Sequence, residues 1–304
     1  MRALDRLAQP VEVHLGKDPE FIKKYAPDAD VILCGVSTNE MLRLAFLEAK
    51  RLRWMHVLWA GVEKILFPEL IESPVPLTNG KGVFGDSLAQ FALAAMLFYA
   101  KDFRRLLRQQ QSQTWEPFDV LDTRGQVLGI VGYGGIGKAT AGLARAFGMK
   151  VVALRRRTAT TDPLIDQAFP SDQLSQMLAL CDYILVAAPL TAETTGLIGT
   201  RELGAVKKSA VIINVGRGPV IDEKALIDAL EAGQIRGAAL DVFDEEPLPA
   251  GHPFYRLQNV LLSPHSADHT VDWIYLAMDR FIETFQRFRD GLPLNNLVDK
   301  KAGY

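Results

Sequence analysis

"GIVGYGGIGKATAGLARAFG", Gly129–Gly148, decides how this chain is read. Gly132, Gly134 and Gly137 form G-x-G-x-x-G, with Gly135 and Ile136 between the last two. A β-rich run precedes the glycines and a helix-forming run follows them. In such a unit the first glycine permits the tight turn. The second lets backbone approach a pyrophosphate, and the third lets helix and strand pack closely. The helix start then offers free N–H groups to the anion. Glycines also mark ordinary strand-to-helix turns that bind nothing, so the surroundings must carry the reading.

Those surroundings alternate short β-rich runs with helical stretches from end to end, which implies α/β with parallel sheets. After residue 126 the runs "VLGIVG", "KVVALR", "YILVAA", "AVIINVG", "GAALDVF" and "NVLLSPH" give six strands, as a doubly wound dinucleotide fold requires. Ahead of them, "VEVHLG", "VILCGV", "MHVLWA" and "VPLTN" read as strands of a smaller sheet. No strand precedes "VEVHLG", which leaves that sheet's edge open. Between the two regions "DSLAQFALAAMLFYAKDFRRLLRQQQ" reads as one long helix. Its apolar face is Leu88, Phe91, Ala92, Ala95, Met96 and Tyr99, with Ser87 and Gln90 as a capping box. "RQQQSQTWEPFD" reads as an exposed arm or turn. "VDWIYLAMDRFIETFQRFRDG" reads as a further helix, and the tail after it as a segment returning to the first domain.

Composition narrows the class. The 304 residues suffice for two modest domains, and the net charge of −2 argues against a nucleic-acid surface. No apolar run approaches the roughly 20 residues of a membrane span. The start, "MRALDRLAQP", lacks the apolar core of a secretion signal. Cys34 and Cys181 lie in apolar runs and read as buried reduced thiols, so a cytoplasmic setting is expected. His14, His56 and His252 do not cluster, and no metal site is expected.

"KVVALRRRTA", Lys150–Ala159, departs from the dinucleotide pattern. A carboxylate at the end of the second strand would bond the adenine ribose and repel a 2′-phosphate. Here Arg155 stands at the strand end, with Arg156 and Arg157 behind it. A guanidinium pairs with a phosphate, often through two hydrogen bonds, so the run points to NADP, with NAD possible. The alternative is a solvated basic loop.

Ligands of open α/β sheets bind beyond the carboxyl ends of the strands. "AVIINVG" runs into Arg217, "GAALDVF" leads to Glu246, and "NVLLSPH" ends on His265. A 2-oxo acid carries a carboxylate beside a carbonyl. Arg217 can grip the first and polarise the second. His265 can give a proton to the carbonyl oxygen as hydride reaches carbon, and Glu246 can hold the imidazole in its protonated form. Each residue alone has an ordinary structural reading. Three at successive strand ends make coincidence a poor account.

The segments "GYGGIGKATA", "PLTAETTGLIG", "INVGRGPVIDEKAL", "GAALDVFDEEPLP" and "LLSPH", in this order, resemble the D-isomer-specific 2-hydroxyacid dehydrogenases, and weaker matches extend into "WAGVEKIL" and "VFGDSLAQFALAAML". In character the chain is most similar to NADP-dependent glyoxylate/hydroxypyruvate reductases. The resemblance implies that Arg217, Glu246 and His265 are catalytic. It implies cofactor contacts at Gly132, Gly134, Gly135, Ile136, Gly137, Arg155, Arg156, Pro189 and Asp241, the last toward the nicotinamide amide. It implies that Ala60 and Gly61 hold the substrate carboxylate through backbone N–H groups. The implied architecture is two Rossmann-like or flavodoxin-like domains, with a cofactor domain at 98–270 inserted into a substrate domain of 1–97 plus 271–304. The cofactor domain would pair two copies into a homodimer, and domain closure would exclude water.

Two departures stand out: Gln90 replaces a common glutamate, and "HSADHT" replaces a small-residue turn, with Asp268 expected to cap the next helix. The leading function is reduction of a small 2-oxo acid such as glyoxylate or hydroxypyruvate. Trp59 and Phe84 could instead favour a bulkier apolar substrate. The competing class is a nucleotide-sensing corepressor on the same fold. Oxidation of formate or another small anion would need different residues.

Overall fold

Two separate parallel sheets organise the chain. The computed structural model describes residues 4–7, 10–35, 38–155 and 162–303. One unit comprises Met1–Phe84 and Thr270–Tyr304, and the other Gly85–His269, so the second is inserted in sequence into the first.

The first unit runs α1 (Pro19–Tyr25), β1 (Val31–Cys34), α2 (Asn39–Glu48), β2 (Trp54–Val57), α3 (Pro68–Glu72) and β3 (Leu77–Thr78). Asp18 and Thr38 start α1 and α2 by accepting hydrogen bonds from the N–H groups of Phe21 and Met41. The strands lie in the order β1-β2-β3. The tail does return to this unit. Leu297 pairs antiparallel with Thr78, and Val298 N–H donates to the Leu77 carbonyl at 2.9 Å. The C-terminal helix, Trp273–Arg289, stacks Phe281 on the fully buried Trp54 with ring centroids 5.4 Å apart.

Three expectations fail here. "VEVHLG" forms no strand: Val13 and Leu15 are exposed, so the alternation has no buried face to fix a register. Asp268 does not cap the C-terminal helix, which begins only at Trp273, behind Asp272. Ser87 is no N-cap either, because its helix already begins at Gly85. Its hydroxyl instead donates to the Ala267 carbonyl at 2.7 Å.

The second unit opens with α4 (Gly85–Ala100) and α5 (Phe103–Gln111). The single long helix expected here is broken. Asp102 takes a left-handed conformation at φ 48°, and its carboxylate accepts the Arg105 N–H, ending one helix and capping the next. Then follow β4 (Val127–Val131), α6 (Gly135–Ala146), β5 (Lys150–Leu154), β6 (Gln167–Phe169), α7 (Leu174–Leu178), β7 (Tyr183–Val186) and α8 (Thr200–Ala205). The unit ends with β8 (Val211–Asn214), α9 (Glu223–Glu231), β9 (Gly237–Leu240) and β10 (Val260–Leu262), ahead of α10, the C-terminal helix already described. All seven strands are parallel, in the order β10-β9-β8-β7-β4-β5-β6.

The six expected strands are present. The seventh, β6, is a three-residue edge with one buried side chain, too short and too exposed to announce itself. All of α4 belongs to this unit, whereas the sequence reading left residues 85–97 with the first. Its buried residues include Leu88, Ala92, Ala95, Met96 and Tyr99, and it packs on α6. Tyr99 fastens the far end by donating its hydroxyl to the Ala238 and Asn259 carbonyls.

One buried titratable group sets a pH limit on the first unit. His56 in β2 is fully buried, its Nδ1 2.7 Å from the Thr78 hydroxyl, and burial pushes its pKa down to about 4. Folding therefore requires neutral imidazole, while the unfolded chain binds a proton below the ordinary value of 6.5. The resulting stability is complete above that value and falls as pH drops toward 4. The total loss is about 3 kcal/mol, at roughly tenfold in the folding equilibrium per pH unit. Chemical denaturation of wild type and His56→Gln across pH 4–7 checks this. The wild type should lose stability more steeply, and parallel slopes would discard the assignment.

Candidate active site

The strand order of the second unit reverses between β4 and β7, and the glycine loop leaves the sheet there. Val131 of β4 is in register with Val186 of β7. Gly132 follows with φ 96°, and a Cβ on it would stand 2.4 Å from the Ala188 nitrogen. Only glycine combines that conformation with that approach. A Cβ on Gly137 would stand 2.7 Å from the Gly132 carbonyl oxygen, so α6 packs tightly onto the loop. Gly134 and Gly135 face open space instead: a Cβ on either would meet nothing within 4 Å. They stand at the start of α6 with Ile136, where backbone N–H groups have no partner within the helix. Pro189 lies exposed just past β7, its carbonyl accepting the Thr194 hydroxyl at 2.6 Å. This is a cradle open on the side where a pyrophosphate would enter, so the residues fit a dinucleotide.

Arg155 leaves the end of β5, tied by its N–H to the Phe169 carbonyl at 2.8 Å. Its guanidinium carbon lies 5.1 Å from the centre of the Tyr133 ring. Its Nη1 is buried with no hydrogen-bond partner among the described residues. A buried cationic donor left in that state calls for an anion. Asp162 lies close by: burial and this carboxylate together push the Tyr133 hydroxyl up to about 12. Arg156 and Arg157 lie outside the described residues.

The three strand-end residues leave the sheet from one row. Asn214 of β8 is in register with Leu240 of β9, and Leu240 with Leu262 of β10. Arg217, Glu246 and His265 follow those positions, each on the same edge. Asn214, which the sequence reading passed over, shapes the first of these exits. Its buried side chain accepts the Gly216 N–H and donates to the Arg217 carbonyl, while Arg217 Nη1 donates to the Gly216 carbonyl. A polar residue closing the apolar run "VIIN" was the signal available.

Glu246 and His265 meet directly. Glu246 Oε2 lies 2.9 Å from His265 Nδ1, and Glu246 Oε1 accepts the Phe243 N–H at 3.1 Å. One carboxylate thus orients the ring and fixes its own loop. His265 sits at φ 50°, and its side chain keeps 41% of its surface exposed.

Asp241 explains how the backbone accepts that conformation. It is 1% exposed, and its Oδ1 accepts the Ser263 hydroxyl at 2.6 Å and the N–H groups of Ser266 and Ala267 at 2.9 and 3.0 Å. Burial raises its carboxyl above the usual carboxylate range, against these hydrogen bonds and the nearby His265, which lower it. Asp241 therefore gathers the chain on both sides of His265, a role the sequence did not announce.

On the first unit, Ala60 and Gly61 follow β2. The Ala60 carbonyl accepts the Asn79 side-chain amide at 2.6 Å, and Gly80 N–H donates to the Trp59 carbonyl at 2.9 Å. The segment is held through its backbone by residues just past β3.

Residues 93–267 match the family described as D-isomer specific 2-hydroxyacid dehydrogenase, NAD binding domain. A glyoxylate reductase from Korarchaeum cryptofilum is 31% identical over 99% of this chain and 93% of its own. The D-isomer specific 2-hydroxyacid dehydrogenase of Xanthobacter autotrophicus, solved with NADPH and MES, has a TM-score of 0.80 at 31% identity, covering 96% of this chain and 88% of its own. The NADPH-dependent glyoxylate/hydroxypyruvate reductase of Sinorhizobium meliloti, solved with NADP and sulfate, has a TM-score of 0.81 at 26% identity, covering 90% and 86%. With the glycine cradle at its switch point and this likeness along nearly its whole length, the chain belongs to the D-isomer specific 2-hydroxyacid dehydrogenases, NAD(P)-dependent oxidoreductases that act on the CH–OH group of hydroxy acids.

Proposed function

We propose that this chain reduces a small 2-oxo acid, glyoxylate or hydroxypyruvate first, with NADPH, and that His265 supplies the proton. The observation that carries the reading is the 2.9 Å contact between Glu246 and His265 Nδ1 at the carboxyl edge of a dinucleotide-type sheet. With Nδ1 directed to Glu246, Nε2 is the nitrogen that faces a ligand, and a protonated Nε2 can donate to a carbonyl oxygen. Glu246 stabilises the charged ring before transfer and keeps its orientation afterwards. Arg217 grips the substrate carboxylate and draws electron density from the neighbouring carbonyl. Ala60 and Gly61 are assigned to the same carboxylate by family resemblance.

The cofactor, when bound, supplies the hydride. Gly132, Gly134, Gly135, Ile136 and Gly137 would hold its pyrophosphate, Pro189 would border it, and Asp241 would face its amide. Arg155 would pair with the 2′-phosphate. Its Nη1, without a hydrogen-bond partner among the described residues, supports NADP over NAD, as do the relatives solved with NADPH or NADP.

We place the enzyme in the cytoplasm as a homodimer. Cys34 and Cys181 are both free and buried, which suits a reducing setting. Among the described residues no helix is long and apolar enough to cross a membrane. For the dimer, α5 and the segment after it expose Phe103, Leu106, Leu107 and Trp115, the last at 98%. That is an apolar face of the kind a second copy covers.

Spectrophotometric assay of NADPH or NADH oxidation with a panel of 2-oxo acids tests the chemistry. Turnover should favour NADPH, and Arg155→Ala should weaken NADPH binding at least tenfold while leaving NADH unaffected. His265→Asn should lose most of kcat with cofactor affinity intact. Full activity of His265→Asn, or turnover with none of the acids, refutes the proposal. Sedimentation at micromolar concentration should give twice the chain mass, and a monomer removes the dimer.

A further inference from the structure

A second histidine–carboxylate pair stands behind the first. His252 Nε2 lies 3.1 Å from Glu223 Oε1, with only 15% and 20% of the two side chains exposed. The tautomer follows from the neighbours. Phe254 N–H donates to His252 Nδ1 at 3.3 Å, so Nδ1 is the acceptor and Nε2 carries the proton given to Glu223. The other oxygen, Oε2, accepts the Asp244 N–H at 3.3 Å. One carboxylate therefore joins the segment before β10 to the loop after β9.

That carboxylate has a rigid mount. Glu223 is the first residue of α9, where a negative charge is favoured by the helix dipole. Asp222 caps the helix by accepting the Ala225 N–H at 3.0 Å, and Ala225, Leu226, Ala229 and Leu230 are buried. The peptide it holds is closely confined on another side. A Cβ on Gly218 would stand 2.1 Å from the Phe243 carbonyl carbon and 2.5 Å from the Asp244 nitrogen. Gly218 directly follows Arg217. The N–H of the same Phe243 donates to Glu246 Oε1, whose partner oxygen meets His265. The Phe243–Asp244 peptide is thus a joint between the Arg217 segment and the Glu246–His265 pair, clamped by Gly218 against one side and by Glu223 through its N–H.

We propose that Glu223, braced by His252, is a positioning residue for the reaction: it acts through the Phe243–Asp244 peptide to hold Glu246 in line with His265. The proposal rests on the catalytic reading of Glu246 and His265 above. Removing the outer hydrogen-bond partner of a metal-bound histidine costs about 10–100-fold in affinity or activity, and a loss on that order is expected for an outer partner of this pair. It should lower kcat and leave the KM for NADPH unchanged, because the glycine cradle lies at another strand end.

A double-mutant cycle on the full chain, with NADPH and the 2-oxo acid turned over in the panel, separates positioning from general damage. Glu223→Ala alone should cost about 10–100-fold in kcat. In a Glu246→Gln background the same change should cost less than about threefold, since the group it positions is already impaired. Equal losses in both backgrounds, or no loss in the single variant, overturn the proposal. Should Glu223→Ala fail to fold, Glu223→Gln runs the same cycle: it retains one acceptor oxygen, its loss should be smaller, and the same background dependence decides. A Glu246→Gln variant with wild-type kcat would remove the catalytic reading itself and this inference with it. A normal Glu246→Gln loss with additive Glu223 effects removes the inference alone.

Discussion

The buried carboxylate of Asp241 is the constraint on which the site depends. Three donors from the segment after β10 converge on one oxygen: the Ser263 hydroxyl and the N–H groups of Ser266 and Ala267. Without it the buried Ser263 hydroxyl would be left unpaired, at a cost of about 1–3 kcal/mol, and the two half-buried N–H groups would lose their common acceptor. With it, the chain turns back at the edge of the sheet, and His265 is held in a left-handed conformation that a non-glycine residue seldom adopts. The imidazole direction is then fixed from two sides, by this turn and by Glu246. The ring is thus placed by hydrogen bonds between strand ends rather than on a free loop, which suits the proton-donor role proposed for it.

The parallel sheet makes the arrangement possible. Asn214, Leu240 and Leu262 share a row, so whatever follows them emerges at the same height. Asn214 and Asp241 have the same job at neighbouring exits: a buried polar side chain bonds the backbone that has just left the sheet. The strand-order reversal between β4 and β7 opens a crevice nearby, and the glycine loop occupies it. Cofactor cradle and strand-end residues therefore belong to one edge of one sheet.

Much of this was legible in the sequence because it is local. Apolar runs of four to six residues announced every strand of the larger sheet except β6, whose three residues bury one side chain. Glycines at 132, 134 and 137 announced the turn by their spacing: Gly132 has a backbone that other residues seldom adopt, and Gly137 has no room for a Cβ. "VEVHLG" misled for the opposite reason: alternation implies a strand only where another surface buries one side, and none covers Val13 and Leu15. The expected unbroken helix over 86–111 failed at Asp102, where the carboxylate caps a new helix more effectively than the backbone continues the old one. Asn214 escaped notice because its function is visible only as two hydrogen bonds to residues two and three positions ahead.

By itself, then, the sequence determined the α/β class, the strand run-in to each functional residue, the glycine cradle and the family, since these follow from periodicity, side-chain chemistry and residue types at short range. Only the tertiary structure decided which residues touch. It paired Glu246 with His265 across nineteen positions of chain, bound the turn around His265 to Asp241, stacked Arg155 on Tyr133, and divided the chain after Phe84. Those outcomes depend on strand order and register, which are set by the packing of whole elements and cannot be read from the residues on either side of a motif.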